Sequence, residues 1–567
     1  MKTLRFLLLA AALAACLPQP PRYPQFDTAQ ANREATALSD SLEAYIRRWH
    51  RGQAPAQLPA RVLPTGYDPS RYQNLRLVKF DEIDPKKQWA VRPAHNIDFS
   101  RLYGSFPDPH CTYLLAPVLY APFGAKLRME GEFPYCRFFS IQVTPPFDAA
   151  EYRYDKWAGK GEVSLVDADI EPEPGHTNPF RPNGDRLATR RRYTAEFQMA
   201  LGNPTALNPG THQYPYRGRG LRYASGIQFQ GPWGLDKKSG HGRGLYDFGD
   251  VWVRYFGIDH DKMPSAGVGL PKLYFELKTG ERFFIVADFA GLVKASETTM
   301  PNRDKGNSDP AKYNGPTTGW DKQFGIFLQI STGLSRALYK EAPRDRAYVR
   351  ALDLGVNGRG ENQPPPANYE PHATSSNYTG YLTTGTSIKK GKVFVLTGKL
   401  PTFPDTRRGA KTLVPAQMRY WSITSYDAEF PFSEIKGLEN TSVMDDELVL
   451  NANREYIIVY SRAEDRPRNA TTANGVTWVD WGRTCIQSFT LRWISVGPEW
   501  SFERTPHELN LPWAKSTWSG SQYDPALVGR NRPGFLQAYH PVKHYLTKEA
   551  FELLGDQLTP AKLPEWK

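Results

Sequence analysis

Short runs in which apolar and polar residues alternate recur along most of the chain. Leu127 and Met129 alternate with Lys126, Arg128 and Glu130, the period of a strand with one buried face. Residues 393–396 are apolar without a break, as in a strand covered on both faces. Further strands are expected from residue 75 (LRLVKF), at 162–170 (EVSLVDADI), 192–199, 272–277, 282–287, 442–450 (SVMDDELVL) and 455–460 (EYIIVY). Helical periodicity is rarer. Leu38, Leu42, Tyr45 and Ile46 define a helix over 31–49, with Arg47, Arg48 and Arg51 at the end where the helix dipole favours cations. Its stripe is read as covering the first domain, with a lipid surface as the alternative. A short helix is expected at 548–554, and residues 322–335 fit either a helix or an extended segment.

One stretch occurs twice. The first copy, GAKLRMEGEFPYCRFFSIQ, covers 124–142; the second, over 391–424, reads GKVFVLTGKLP, an insertion, then RYWSIT. Gly124 and Gly391 are followed at equal spacing by Gly131 and Gly398, then by Pro134 and Pro401. Arg137 and Arg419 each precede two aromatics, Ser and Ile. A repeat at this distance implies two related domains rather than a solenoid. Locally it reads as a β-hairpin, with the second Gly supplying a turn or bulge and the Pro ending the ladder. Asp167 and Asp169 match Asp445 and Glu447, and acidic residues at matched places indicate a requirement of the fold. Each Arg is expected to be held by a carboxylate or carbonyls of its own domain, with ligand contact as the other use of a fixed guanidinium.

Composition agrees with many short strands joined by turns. The 567 residues suffice for two or three domains, and 13% aromatics with 46 Gly and 48 Pro do not suit helical bundles. The net charge of +12 is spread among acidic residues without a nucleic-acid-binding motif, so nucleic acid is not an expected partner. Beyond the N-terminus, apolar runs are too short for a membrane-spanning helix.

At the N-terminus, Lys2 and Arg5 precede the apolar run 6–13, and Leu13, Ala14, Ala15 and Cys16 follow. Residues 1–15 are read as an export signal. The Leu-Ala-Ala-Cys ending resembles a bacterial lipobox, which implies acylation of Cys16 and attachment to a membrane. Leu17 after it implies the outer membrane, facing the periplasm or the exterior. An ordinary signal peptide with an incidental cysteine is the alternative. The Pro-rich segment that follows is a tether. In an oxidising compartment, Cys111 and Cys136, which flank the first repeat copy, are expected to form a disulfide contributing roughly 3 kcal/mol. Cys485 is left over and is read as buried and inert.

GKVFVLTGKLPTFPDT, AQMRYWSIT and RPRNATTANGVTWVDWG, with DIEPEPGHTNPFRPNGDR and VGLPKLYFEL in the first half, resemble bacterial exported proteins of unknown function built from tandem jelly-roll-like sandwiches. The resemblance spans residues 74–500 and implies fold and location but no activity. The fold expected is mainly β: two related antiparallel β-sandwich (jelly-roll-like) domains with a few short helices. Boundaries fall at a signal peptide (1–15), a tether (16–30), an amphipathic helix (31–52), a first sandwich with long insertions (74–355), a second sandwich (356–500) and a C-terminal tail (501–567).

The chemistry is less defined. Metal-binding histidine spacings are missing, and Pro541 interrupts His540 and His544. Asp259, His260 and Asp261 read as a solvated turn rather than a cation site. No metal or cofactor is indicated. No Gly-x-Ser-x-Gly elbow is present, and the Gly-rich loops at 217–222 and 239–244 lack phosphate-loop order. Arg466, Asn469, Asn474, Trp478 and Trp481 combine directional polar groups with flat apolar faces. That mixture suits a small molecule, a glycan or a protein ligand; a loop pinned by its own tryptophans is the alternative. Two function classes remain. One is a lipid-anchored cell-envelope binding or structural protein; the other is an envelope enzyme, hydrolase-like, with a site between the sandwiches. The missing catalytic motifs favour the first.

Overall fold

The computed structural model describes residues 28–62, 73–92, 94, 108–119, 121–144, 163–181, 184–200, 226–228, 248–288, 349–350, 379–388, 391–413, 416–427, 441–482, 486–496, 518–519, 522–523, 539 and 541–564. Helix α1 (Thr28–His50) opens the described part, and Leu42, Tyr45, Ile46 and Trp49 from its apolar stripe enter the first core. The strands that follow are β1 (Gln73–Lys79), β2 (Ala90–Arg92), β3 (Cys111–Leu119), β4 (Lys126–Glu132), β5 (Cys136–Thr144), β6 (Val163–Val166), β7 (Arg192–Ala200), β8 (Gly226–Gln228), β9 (Phe248–Ile258), β10 (Lys272–Glu276) and β11 (Arg282–Asp288). They form two sheets of order β1-β11-β10-β4-β7-β8 and β2-β3-β9-β5-β6. The inner faces share one core, in which Leu127, Met129, Phe197 and Phe275 meet Phe139, Ile141, Val251 and Val253.

The second half contains β12 (Val349–Arg350), β13 (Thr379–Ser387), β14 (Val393–Lys399), β15 (Met418–Asp427), β16 (Ser442–Met444), β17 (Glu455–Ser461), β18 (Thr477–Asp480), β19 (Ile486–Val496), β20 (Trp518–Ser519), β21 (Gln522–Tyr523) and β22 (Val542–Leu546). Its sheets run β12-β13-β19-β15-β16 and β18-β17-β14-β22, with β20 and β21 as a separate ribbon. Phe394, Leu396, Ile458 and Tyr460 meet Trp421, Ile423, Phe489 and Trp493 between them. Pairing is antiparallel except for the short β8 and β18.

The repeat is therefore one of topology. The order β3-β9-β5-β6 recurs as β13-β19-β15-β16, and β10-β4-β7-β8 recurs as β22-β14-β17-β18. Residues beyond 501 accordingly include an edge strand of the second sandwich: Val393 pairs with Leu546, and Thr397 with Val542.

The repeated stretch is not the hairpin its spacing suggests. Strand β4 pairs with β10 and β7, while β5 pairs with β9 and β6. The chain thus crosses from one sheet to the other at Pro134, and again at Pro401 between β14 and β15. Arginines hold both corners. Arg191 donates to the carbonyls of Phe133 and Pro134, and Arg454 donates to those of Leu400 (3.1 Å) and Pro401 (2.7 Å). Gly131 and Gly398 lie inside strands opposite Tyr193 and Tyr456. A Cβ would stand 2.8 Å from the Tyr193 hydroxyl oxygen and 2.5 Å from that of Tyr456, so glycine is needed here for close approach of a ring rather than for a turn.

The outer faces differ as the patterning suggested. On the β4 sheet, Arg128 pairs with Glu196 (2.8 Å) and Glu276 (3.4 Å) at the surface. On the β14 sheet, Val393, Val395, Ile457 and Val459 are covered by Ala470, Val476, Leu558, Leu563 and Phe551 of helix α2 (Lys548–Glu552). No described helix is long and apolar enough to cross a membrane.

Candidate functional site

The two five-stranded sheets face each other, and one end of their contact is sealed by Cys111, Phe138 and Phe256 against Tyr420, Met444 and Ile494. Two buried ion pairs clasp this end reciprocally. Arg419 donates to Asp167 at 2.6 Å and to the Phe180 carbonyl at 2.9 Å, with the Phe180 ring beneath it. Arg137 donates to Asp445, Asp446 and the Thr406 hydroxyl, over the Phe403 ring. The carboxylates are oriented alike within their own sandwiches. Asp167 accepts from the amides of Phe139 (2.8 Å) and Ala168 (2.6 Å); Asp445 accepts from those of Trp421 (2.9 Å) and Asp446 (2.8 Å). The expectation that each Arg is held in its own domain is thus corrected: the carboxylate of the other sandwich holds it. Amides of the neighbouring strand and of the next residue fix each carboxylate and leave lone pairs that face the interface. Residue i meeting j while j meets i is the contact pattern of a two-fold dimer, here within one chain.

Burial pushes the carboxyls of Asp167 and Asp445 upward despite their arginines. Asp446 is pushed up to about 6, by burial and by its neighbour Asp445, with Arg137 opposing. Two carboxylates sharing one guanidinium do not both ionise freely.

Beyond the apolar seal the facing sheets turn polar. Ser140, Gln142 and Arg254 line the first sandwich, and Ser422, Thr424, Tyr426, Thr490 and Arg492 line the second; all are buried. Register sets the matched places, since Ser140 lies opposite Arg254, and Ser422 opposite Arg492. Asp108, just before β3, reaches across. One of its carboxylate oxygens accepts from the hydroxyls of Ser422 (2.7 Å) and Tyr420 (2.9 Å), with Arg492 at 3.8 Å, and the other accepts from the His110 amide (3.0 Å). Burial alone would raise this carboxyl, but Arg492, His110 and Ser422 together hold it below the ordinary value. Arg492 also donates to Thr424 and Tyr426. Arg254 donates to the Gln142 side-chain carbonyl and lies over the Trp252 ring. The Ser140 hydroxyl, in a residue 1% exposed, has no hydrogen-bond partner among the described residues.

The Ser422 hydroxyl donates to a carboxylate, while the His110 ring bonds Glu447 at 3.0 Å. Motif reading missed Asp108, Arg254 and Arg492, because pairing across strands rather than spacing along the chain brings them together. Aligning the DVWVRYFGI of β9 with the FTLRWISV of β19 places the two arginines at one register and could have found them.

The residues singled out from the sequence fall elsewhere. Arg466 stacks on Trp478 with its guanidinium 4.2 Å from the ring centroid, and Trp478 donates to the Ser461 hydroxyl. Asn469 donates to the carbonyls of Phe551 and Gly555, Asn474 to Asp556 and the Asn469 carbonyl, and Trp481 is in the second core. Through these contacts they fasten the loop and the C-terminal helix to the sandwich. The Cys111–Cys136 bridge is also corrected, since both are buried free thiols. They sit on β3 and β5, on opposite sides of β9. Two strand spacings put their Cα atoms about 10 Å apart, past the roughly 7 Å limit for a bridge. Asp259 is held by Arg186 (2.6 Å), and Asp261 by Lys262 (2.9 Å), so both carboxylates already have cationic partners. Cys16, Cys485 and residues 322–335 lie outside the described residues.

No family model and no curated protein sequence matches the chain. Among solved structures it is similar to an uncharacterized protein from Burkholderia cenocepacia, at 10% identity over 83% of this chain and 96% of that one, with a TM-score of 0.33. It is also similar to the VPA0106 protein from Vibrio parahaemolyticus, at 10% identity over 84% of this chain and 98% of that one, with a TM-score of 0.26. Likenesses this distant carry no argument about function.

Proposed function

We propose that the chain is a lipid-anchored cell-envelope binding protein, built from tandem jelly-roll-like sandwiches. Its ligand is held by the polar half of the contact between the two five-stranded sheets. The observation that carries this reading is the buried polar surface itself. Ser140, Gln142, Arg254, Ser422, Thr424 and Arg492 occupy positions that an interface built only for stability would fill with apolar groups, as it does two residues earlier at Phe138. The reciprocal clasps supply a rigid frame that pre-organises the site. Membrane attachment rests on the sequence ending in Cys16. Native mass spectrometry of the protein purified from its own envelope tests the binding part. A retained small mass is expected in the wild type and is lost in the Gln142→Ala variant; a wild type that carries no mass sinks it. For the anchor, Cys16→Ser is expected to move the protein from the membrane fraction to the soluble one, and unchanged retention refutes it.

A further inference from the structure

The far end of α1 gathers arginines at one edge of the first sandwich. The apolar stripe of this helix is buried in the core, so solvent meets its other face and its last turn. Arg48 and Arg51 are exposed there, and the fold adds exposed Arg61 and Arg76. After Arg51 the chain turns back and residues 56–58 run along β1. The Leu77 amide donates to the Ala56 carbonyl (2.8 Å), and the Leu58 amide to that of Leu75 (3.0 Å). The Tyr45 hydroxyl fastens this segment to the helix, 2.9 Å from the Pro55 carbonyl and 2.6 Å from that of Gln57. The arginines surround it. The Arg48 guanidinium is 5.8 Å from the Tyr45 ring centroid, and Arg76 pairs with Gln57. Burial pushes the Tyr45 hydroxyl upward, and Arg61 and Arg48 oppose it, so both cations stand near that oxygen. Arg47 is taken by Glu281 at 3.8 Å, but no described carboxylate pairs with Arg48, Arg51, Arg61 or Arg76. The carboxylates of α1, Glu34, Asp40 and Glu43, all lie more than one turn before Arg48.

We propose that this edge docks on the anionic headgroups of a phospholipid bilayer. The proposal rests on the anchor reading above, which brings a bilayer to this end of the chain. Charge is complementary, and the guanidinium fork matches a phosphate group. Reach agrees as well. Thr28 is twelve residues after Cys16, a length that extends to about 40 Å. The 23 residues of α1 span about 35 Å, so a lipid on Cys16 leaves the arginine end free to come down on the same surface. The contact differs from insertion of an amphipathic helix, because the apolar stripe is already in the core. The acyl group would set the distance to the membrane, and the arginines would set which face of the protein points away from it.

The test is co-sedimentation with vesicles of phosphatidylcholine containing about 30% phosphatidylglycerol, against phosphatidylcholine alone. The protein is the mature chain, 16–567 with Cys16→Ser, which keeps every described residue and carries neither an acyl group nor the apolar run 6–13. Binding is expected to the anionic vesicles only, and it should disappear in about 0.5 M salt, where screening is strong. Arg48→Glu, Arg51→Glu and Arg61→Glu together should weaken it at least roughly tenfold, since one arginine near such a surface contributes about fivefold. Arg408→Glu, Lys411→Glu and Lys562→Glu together control for the net charge of +12. These three cations are exposed on the second sandwich, and their replacement should leave binding as it was. If charge reversal disturbs folding, Gln at the same three arginines should still weaken binding several-fold. No binding to anionic vesicles, equal binding to neutral ones, or an equal loss in the control variant overturns the proposal. The anchor fails separately. A protein that leaves the salt-washed membrane fraction on Cys16→Ser, with no vesicle binding, keeps the anchor and removes the docking edge. Vesicle binding lost in the arginine variant, with membrane retention unchanged by Cys16→Ser, keeps the docking edge and removes the anchor.

Discussion

Replacing Arg419 by Ala tests the clasp most directly. The guanidinium is 1% exposed and joins Asp167 of the other sandwich, itself 1% exposed. Removing one partner of a buried pair typically costs about 3–5 kcal/mol, because the other charge stays buried. Asp167 would keep the amides of Phe139 and Ala168, which places the loss near the lower end, at about 3 kcal/mol. A chain of two sandwiches need not unfold in one step, so a single melting temperature is insufficient. Hydrogen exchange in graded urea separates the halves by following peptides of β5 and β6 against those of β15 and β16. Both sets are expected to lose protection together, since the partner left uncompensated belongs to the first sandwich. The double variant with Asp167→Asn should be destabilised by less than the sum of the single changes. A coupling under about 0.5 kcal/mol would mean the two residues do not act as a unit. Unchanged melting in Arg419→Ala, or protection lost only in the second sandwich, refutes the reasoning.

Asp446 gives a pH dependence of unusual sign. Its folded value of about 6 lies above the ordinary 3.8, so its contribution is fully present below 3.8 and lost as pH rises through 6. Urea midpoints should show the wild type gaining about 1 kcal/mol relative to Asp446→Asn between about pH 7.5 and pH 5; parallel pH profiles of the two proteins contradict this. Gly398→Ala should cost about 1–3 kcal/mol in thermal unfolding by overpacking against Tyr456. Gly269→Ala, with no heavy atom within 4 Å of its new Cβ, serves as the control and should be close to neutral. Asn469→Ala should free the C-terminal helix by removing its bonds to Phe551 and Gly555, seen as faster proteolysis within 548–563; an unchanged digestion rate counts against the fastening role of this loop.

Strand periodicity was local and could be read from the chain alone. Alternation at 126–130 and the unbroken run at 393–396 predicted one solvated and one covered outer sheet face, because side chains in a strand point to the two faces in turn. Equal spacing of Gly131 and Gly398 and of Pro134 and Pro401, with Arg137 and Arg419 each leading two aromatics, Ser and Ile after an insertion in the second copy, gave the repeat, because matched spacing preserves register. That spacing could not say whether the strands on either side of Pro134 pair or part, since both solutions suit the same turn residues. Tertiary structure decided that they part, and it sent β22 back beside β14 from the far end of the chain. The partners of Arg137 and Arg419 were likewise undetermined. A buried guanidinium requires acceptors, but a carboxylate already fixed by amides of its own sandwich meets that need equally well from the facing sheet. The same distinction explains the cysteines and the 466–481 loop, whose neighbours in sequence are not their neighbours across the sheet. Ser140 and Ser422 belonged to a motif visible from the start, but that Asp108 accepts from the Ser422 hydroxyl was decided only when the two sheets came face to face.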